Sequence, residues 1–434
     1  MKWWEKLKNK LSSRKIGEGS PSTVTTTADV SQMIQRDLLL RNIILGIVLF
    51  LSAFGFLLVY SAMSVRLINR GTSFWGEIAR ISVFTAMGVV MMLIAMKMPV
   101  GWLKKLTYLV YPVAWMLQMA TFFVGKEIGG NRNWLNVGVI IQPSELLKLG
   151  FVMVLALILA EFPMDLRKGI GAVVYLTGAL VVTIFPVLIC RDMGSVVIFV
   201  AIYLFVIIAA QVSGRYISWF FVFAAFGAVF MVMISPSRRT RVKALFDSIG
   251  VALGLKAAPL GYQPATQIDH SRWAVGMGGL FGQGPGASRE KWLYLPTADS
   301  DFIFAVLCEE YGFVGATLVI LLFVTLVVAI FTVAMRVPDP WAKLVCVGAG
   351  AWIGFQSFVN IGVVLGVLPV LGVPLPFLSR GYSSLISLLA VCGVVLSCAN
   401  SLPGVKQYHE GRRGYYGQVR SVLASRVPNL RRKR

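Results

Sequence analysis

Charge is what this sequence has least of. Only 14% of its 434 residues are Asp, Glu, Lys or Arg, against about one quarter in an average soluble domain. A chain that is 57% hydrophobic, with a mean hydropathy of +0.76, cannot be wrapped in a polar surface, which excludes an ordinary soluble fold. Histidine occurs twice, at His270 and His409, so a histidine-built metal centre is not expected. The five cysteines, Cys190, Cys308, Cys346, Cys392 and Cys398, have no C-x-x-C spacing and sit in or beside apolar runs. That speaks against a disulfide framework and against zinc. Acids are scarce as well, 19 against 41 Lys and Arg, for a net charge of +22.

An excess of cations would suit a nucleic-acid binder, but its distribution argues otherwise. The basic residues crowd the ends, at Lys2, Lys6, Lys8, Lys10, Arg14 and Lys15, then at Arg412, Arg413, Arg420, Arg426, Arg431, Arg432, Lys433 and Arg434. Polybasic tails beside membrane spans are drawn to anionic lipid at the cytoplasmic surface, by roughly 1 kcal/mol per residue. No nucleic-acid partner is expected. No cleavable signal is expected ahead of the first apolar run either, because the residues before it are polar and basic, so the first span doubles as the insertion signal.

Ten apolar stretches have the length needed to cross a bilayer, roughly 17 to 25 residues. They are Asn42–Met63, Ile78–Met98, Leu106–Gly125, Leu146–Phe162, Ile170–Cys190, Met193–Val212, Ile217–Ser235, Phe313–Met335, Trp341–Val367 and Leu385–Leu402. The expected fold is therefore an all-α polytopic membrane protein, with basic tails at 1–41 and 403–434 around a ten-helix domain at 42–402. A long extracytoplasmic loop at 236–301 separates the seventh and eighth spans. An even count puts both termini on one side. Lys104, Lys105, Arg167, Lys168, Arg215 and Arg336 fall on that same side, which the positive-inside rule makes cytoplasmic. The chemistry-capable residues gather in the external connections: Trp134 and Gln142, Asp192, Asp301 and Arg380.

Four segments carry a recognisable pattern. Gly130–Leu149 reads GNRNWLNVGVIIQPSELLKL, Cys190–Ser195 reads CRDMGS, and Asn360–Ser384 reads NIGVVLGVLPVLGVPLPFLSRGYSS. The longest, Gly261–Gly315, includes GYQ, a glycine-rich stretch, LPTADSDFIF and EEYGFVG. The glycines at 276–286 have no strand–helix unit around them, so a close-approach loop is favoured over a dinucleotide fingerprint. Glu145 and Lys148, spaced i, i+3 at a helix start, read as a structural pair. Trp134 suits either an interfacial anchor or a substrate contact. Asp192, a carboxylate wedged between two spans, is a functional candidate by its energetic cost. Pro369, Pro374 and Pro376 interrupt the helical pattern and leave backbone groups that can be satisfied only inside protein or beside a water-filled cavity.

Together these segments resemble the RodA/FtsW/SpoVE family. The resemblance implies a glycosyltransferase that polymerises the lipid-linked peptidoglycan precursor, lipid II, outside the cytoplasm of a bacterial inner membrane. It implies a class B penicillin-binding protein as partner. By the match, Asp301 occupies the position of the family's essential carboxylate, which would deprotonate the attacking sugar hydroxyl, and a direct displacement would invert the anomeric centre. Substrate contacts are expected from Trp134, Arg132, Asp192, Gln263, Lys291, Ser379 and Arg380. The three cations among these would stabilise a pyrophosphate leaving group, and a divalent cation bridging phosphate oxygens is compatible with that role. The chain departs from the family pattern at Asn133 (commonly Arg), Thr297 (commonly Glu), Asp299–Ser300, Arg380 (more often Tyr) and Tyr382 (more often Gly). Asp299 therefore stands beside Asp301 as a competing base. A lipid II flippase and a non-catalytic scaffold of the cell-wall machinery are the alternative readings.

Overall fold

The computed structural model describes residues 27–411 apart from 72–73, 129–130, 137–139, 162–169, 235–238, 241, 245, 248–249 and 251–265. The basic tail residues named above, together with Arg167, Lys168 and Gln263, lie outside the described residues. The chain runs α1 (Thr27–Arg70), α2 (Phe74–Lys97), α3 (Val100–Val124), β1 (Lys126–Ile128), β2 (Asn131–Asn136), β3 (Ile140–Ile141), α4 (Pro143–Glu161), α5 (Ile170–Ile189), α6 (Met193–Ala209) and α7 (Gly214–Ile234). It continues through α8 (Gln267–Met277), α9 (Ile303–Arg336), α10 (Pro340–Val364) and α11 (Tyr382–Asn400). Each apolar stretch read from the sequence falls on a helix. Among the described residues α1, α2, α3, α4, α9, α10 and α11 are long and apolar enough to cross a membrane, and α5 and α6 are shorter apolar helices. The chain is an integral membrane protein.

Three features lie outside the sequence reading. The helix α1 begins at Thr27, inside the stretch assigned to a tail, because no Gly or Pro interrupts residues 27–41 and Ile34 and Asp37 find buried contacts. A small antiparallel sheet, ordered β1-β2-β3, fills the connection between α3 and α4. The long connection between α7 and α9 contains α8, whose start is fixed by a capping box between Thr266 and Asp269.

The centre of the bundle is α4, α10 and α11, each far more buried than the peripheral α2 and α3. Small residues make this possible. The run Gly348–Ala351 in α10 is buried, and a side chain at Gly348 would press on Val152 of α4 and Val206 of α6. Close backbone approach of this kind is how helices associate where lipid removes the hydrophobic drive. Polar ties then fasten the two ends of the bundle. At one end Asp37 accepts from the Gly404 amide (3.0 Å) and pairs with Arg336 (3.4 Å), while Lys104 pairs with Asp339 (2.7 Å). At the other end lie Arg66, Glu77, Asp192, Asp299 and Arg380.

One helix is broken to reach that second end. Inside α9, Gly312 adopts φ 66° and ψ −166°, a conformation close to exclusive to glycine. The interruption is filled by residues 279–284, which bond to α9 in antiparallel fashion: Phe313 N to Gly279 O (2.9 Å), Val314 N to Leu280 O (3.1 Å), Gln283 N to Glu309 O (2.9 Å) and Gly284 N to Glu310 O (3.0 Å). Before the break, residues 303–310 are all buried. After it, Phe313, Val314, Leu318, Leu321, Val324 and Val328 are exposed in a strip suited to lipid. The break thus separates a short inner helix, which starts beside Asp301, from the spanning helix. Replacing Gly312 by Ala forces a Cβ against Gly282 and Leu280 in a strained conformation, a cost of about 1–3 kcal/mol. The expected result is a lower unfolding temperature in detergent and faster proteolysis within 278–284, measured against wild type.

Candidate active site

Three aspartates meet at this end of the bundle, and their surroundings differ. Asp192 is 6% exposed and caps α6. Its Oδ1 accepts from the Ser195 amide (3.1 Å). Its Oδ2 accepts from Asn133 Nδ2 (2.6 Å), Gln142 Nε2 (3.0 Å), Ser144 Oγ (3.3 Å) and Ser195 Oγ (2.8 Å). This carboxylate ties β2, the start of α4 and the start of α6 together, so its oxygens are committed within the protein. Asn133, where the pattern commonly has arginine, is one of the donors.

Asp299, 2% exposed, lies between two guanidinium groups. Arg66 from the end of α1 is at 2.8 Å and Arg380 from the segment before α11 is at 3.0 Å. Arg380 also approaches Glu77 of α2 at 3.6 Å, and Tyr382 Oη donates to Glu77 (3.2 Å). Both oxygens of this carboxylate are thus engaged by protein cations.

Asp301 is the third, half-buried just before the inner piece of α9. Among the described residues no donor or cation pairs with its carboxylate. Burial raises its pKa to about 6, reinforced by the negative charges of Asp299 and Asp192. What fixes its position is the backbone. Asn360 of α10, 1% exposed, donates through Nδ2 to the carbonyls of both Asp301 and Val373, each at 2.8 Å. One amide group thereby joins the start of α9 to the proline-broken segment. That segment does enter the protein: Leu375, Phe377 and Leu378 are buried, and Gly55 of α1 packs directly on the Phe377 and Leu378 backbone. Gly372, with φ 69°, turns its bare face to Asp301, since a Cβ there would lie 3.8 Å from Oδ2.

The remaining sequence candidates divide between exposed and committed groups. Lys291 is 5% exposed, and its ammonium is held by Glu310 (2.7 Å) and Ser61 (3.0 Å), which makes it a buried ion pair rather than a solvent-facing cation. It borders a cavity of about 140 Å³ together with Arg66, Leu293, Thr297 and Asp299. Glu309 is buried too, and gathers the glycine-rich loop by accepting from Ser288 Oγ (2.6 Å) and the Arg289 amide (2.7 Å). Ser379 donates to the Ser300 carbonyl (2.9 Å). Arg380 keeps part of its surface open to a cleft lined by Phe56, Val59, Ile81 and Tyr382. Arg132 is exposed on β2 beside half-buried Trp134. Glu145 and Lys148 are a pair at 2.8 Å, both 1% exposed, and Lys148 also lies over the Trp352 ring. Among the described residues no group of three His, Cys, Asp or Glu side chains converges as a metal cage.

The sequence reading did not single out Asn360, Arg66, Glu77 or Gly372. A signal existed for Arg66: a cation at the end of the first span that the sequence reading expects to face outward runs against the positive-inside tendency and calls for a partner.

Comparison with known proteins bears on this constellation as a whole. The family model described as cell cycle protein, covering FtsW, RodA and SpoVE, matches residues 41–402. Stage V sporulation protein E of Bacillus subtilis is 34% identical over 355 residues, 81% of this chain and 94% of that protein. A probable peptidoglycan glycosyltransferase FtsW of Nitrosomonas europaea is 32% identical over 382 residues, 85% and 93% of the two chains. Among solved structures, a chain of a peptidoglycan synthase complex superposes with a TM-score of 0.65 at 26% identity, covering 82% of this chain and 96% of that one. The Thermus thermophilus rod shape determining protein RodA shares the fold at a TM-score of 0.59 and 24% identity, over 82% and 96% of the chains. With a family model that spans the membrane region from end to end, and relatives this similar over most of their own length, the chain belongs to the FtsW/RodA/SpoVE family.

Proposed function

We propose that this protein is a peptidoglycan glycosyltransferase that joins lipid II units into glycan strands at the outer face of the bacterial inner membrane. The observation that carries this reading is the contrast among the three aspartates. Asp192 and Asp299 are consumed by hydrogen bonds and ion pairs, whereas Asp301 is held by its backbone, with its carboxylate unpaired among the described residues. The names of the relatives support the same reaction class.

Polymerisation requires a sugar hydroxyl of one lipid-linked unit to attack the anomeric carbon of another, whose leaving group is a lipid pyrophosphate. The hydroxyl is a weak nucleophile. Asp301 takes its proton as the new bond forms, a contribution of about 10² to 10⁴ in rate for a positioned base. The bond to the pyrophosphate breaks with inversion at the anomeric carbon, and the leaving group is good enough to need no paired acid, unlike the two-carboxylate arrangement of glycoside hydrolases. Of the proposed cations, Arg132 and Arg380 retain exposed surface and are assigned to the developing charge on the pyrophosphate. Lys291 is assigned to the fold instead, because moving its ammonium would leave Glu310 buried and unpaired. Both termini are cytoplasmic in this reading, and the partner is a class B penicillin-binding protein that crosslinks the product strand.

Purified protein given lipid II, with and without such a transpeptidase, tests the assignment. Asp301→Asn is expected to lower polymer formation by at least a hundredfold while leaving the unfolding temperature in place. Polymer made at an undiminished rate by folded Asp301→Asn would reject the role, and precursor translocation across vesicles without polymer would favour the flippase. The pH dependence has a definite sign. Because Asp301 titrates near 6, above the usual aspartate value of 3.8, the base form is complete above that pH and is lost below it. The wild-type rate is expected to fall through a midpoint near pH 6, roughly tenfold per unit further down. A flat profile between pH 5 and 7 would contradict the assignment.

A further inference from the structure

Asp299 and Arg380 stand 81 residues apart in the chain, and in the folded protein they touch. Arg380 Nη1 lies 3.0 Å from Asp299 Oδ2, and the Arg380 amide donates to the Asp299 carbonyl at 2.9 Å. The neighbouring residues repeat the contact, with Ser379 Oγ donating to the Ser300 carbonyl at 2.9 Å. The loop that carries Asp301 is thus stitched to the start of α11 by side chain and backbone together. Asp299 alone would be costly here, because an aspartate that is 2% exposed needs an opposite charge, and Arg380, which lines the same cleft as Phe56, Val59 and Ile81, supplies one.

We propose that Asp299 and Arg380 are a matched pair of positioning residues, which fix the Asp301 loop against the start of α11 and together set the charge felt by the Asp301 carboxylate. The proposal rests on the reading of Asp301 as the base. The groups facing this carboxylate and its neighbour come from several elements. They are Arg66 from α1, Glu77 from α2, Asp192 from the cap of α6, Asp299 from the loop itself, and Arg380 and Tyr382 from the start of α11, while α10 supplies the neutral Asn360. Asp299 opposes ionisation of Asp301, and Arg380, by neutralising Asp299, relieves part of that opposition. Substitutions in the two partners therefore act on Asp301 with opposite signs. A latch that served only to hold the backbone would not produce such a pattern.

The test is an infrared difference titration in the reconstituted full chain, following the carboxylic C=O band that Asp301→Asn removes, alongside the pH profile of polymerisation. Asp299→Asn is expected to move the Asp301 midpoint down, on the order of one pH unit. Arg380→Tyr, which restores the more common family residue, is expected to move it up. Arg380→Lys keeps the charge and should hold the wild-type midpoint, and Asp299→Asn/Arg380→Tyr should fall between the two single variants, as coupled neighbours do. Midpoints that stay in place, or move in the same direction in both single variants, overturn the pairing. Where Arg380→Tyr does not fold, Asp299→Asn decides alone, and a midpoint that fails to drop overturns the pairing. The two levels of the argument separate cleanly. Opposed infrared shifts with an unmoved activity profile uphold the pair and reject Asp301 as the base, whereas an inactive Asp301→Asn with unmoved infrared midpoints does the reverse.

Discussion

Among the described residues the Asp301 carboxylate has no partner, and the surrounding architecture is arranged so that it can remain that way. An uncompensated carboxylate beside an apolar bundle would normally recruit a cation or a set of donors, as both of its neighbours have done. Asp192 accepts five hydrogen bonds, and Asp299 is flanked by Arg66 and Arg380. The guanidinium groups of Arg66 and Arg380 thereby pair with Asp299 and not with Asp301. Asp301 is left with two negative neighbours, so burial and repulsion together favour its protonated form and bring it into the range useful for proton transfer at neutral pH. In the proposed reaction the fold opposes ionisation of the group that acts as base, a local conflict of the kind expected at active sites.

Holding such a group steady falls to the backbone. The glycine break in α9 allows an inner helix to begin beside Asp301 while the rest of α9 spans the membrane. The prolines at 369, 374 and 376 let the segment before α11 turn into the bundle, where Asn360 ties it to the Asp301 carbonyl. Irregular backbone inside a membrane protein must be satisfied from within, and here the partners that satisfy it also build the site. Buried pairs such as Glu145–Lys148 and Lys291–Glu310 fasten the surrounding helices by the same means. Several charged residues in the patterned segments are thus engaged within the fold.

Much of this was legible in the sequence. Apolar length placed the helices, and the eighth stretch began at Phe313, where the lipid-facing part of α9 starts after its break. The pairing of Glu145 with Lys148 followed from helical spacing, and the entry of the proline segment into the protein followed from its missing amide donors. What stayed hidden depended on contacts between residues distant in the chain. Nothing in the local sequence said that Asp192 would be saturated by Asn133, Gln142, Ser144 and Ser195, or that Lys291 would meet Glu310 across the glycine-rich loop. Adjacency of Asp299 and Asp301 left two candidate bases open, and the approach to Asp299 of Arg66, more than two hundred residues earlier, and of Arg380 separates their surroundings. Gln263 lies outside the described residues, so its expected contact stays a proposal.

The account stands on one geometric claim, that the oxygen meeting the incoming sugar belongs to Asp301. A structure of the protein with a lipid-linked disaccharide or a non-reactive analogue bound tests it most directly. The acceptor hydroxyl is expected within hydrogen-bond reach of Asp301, roughly 2.6–3.2 Å, with Asp192 and Asp299 still holding their protein partners. A sugar bound to Asp192 or Asp299, with Asp301 turned away from it, would contradict the account.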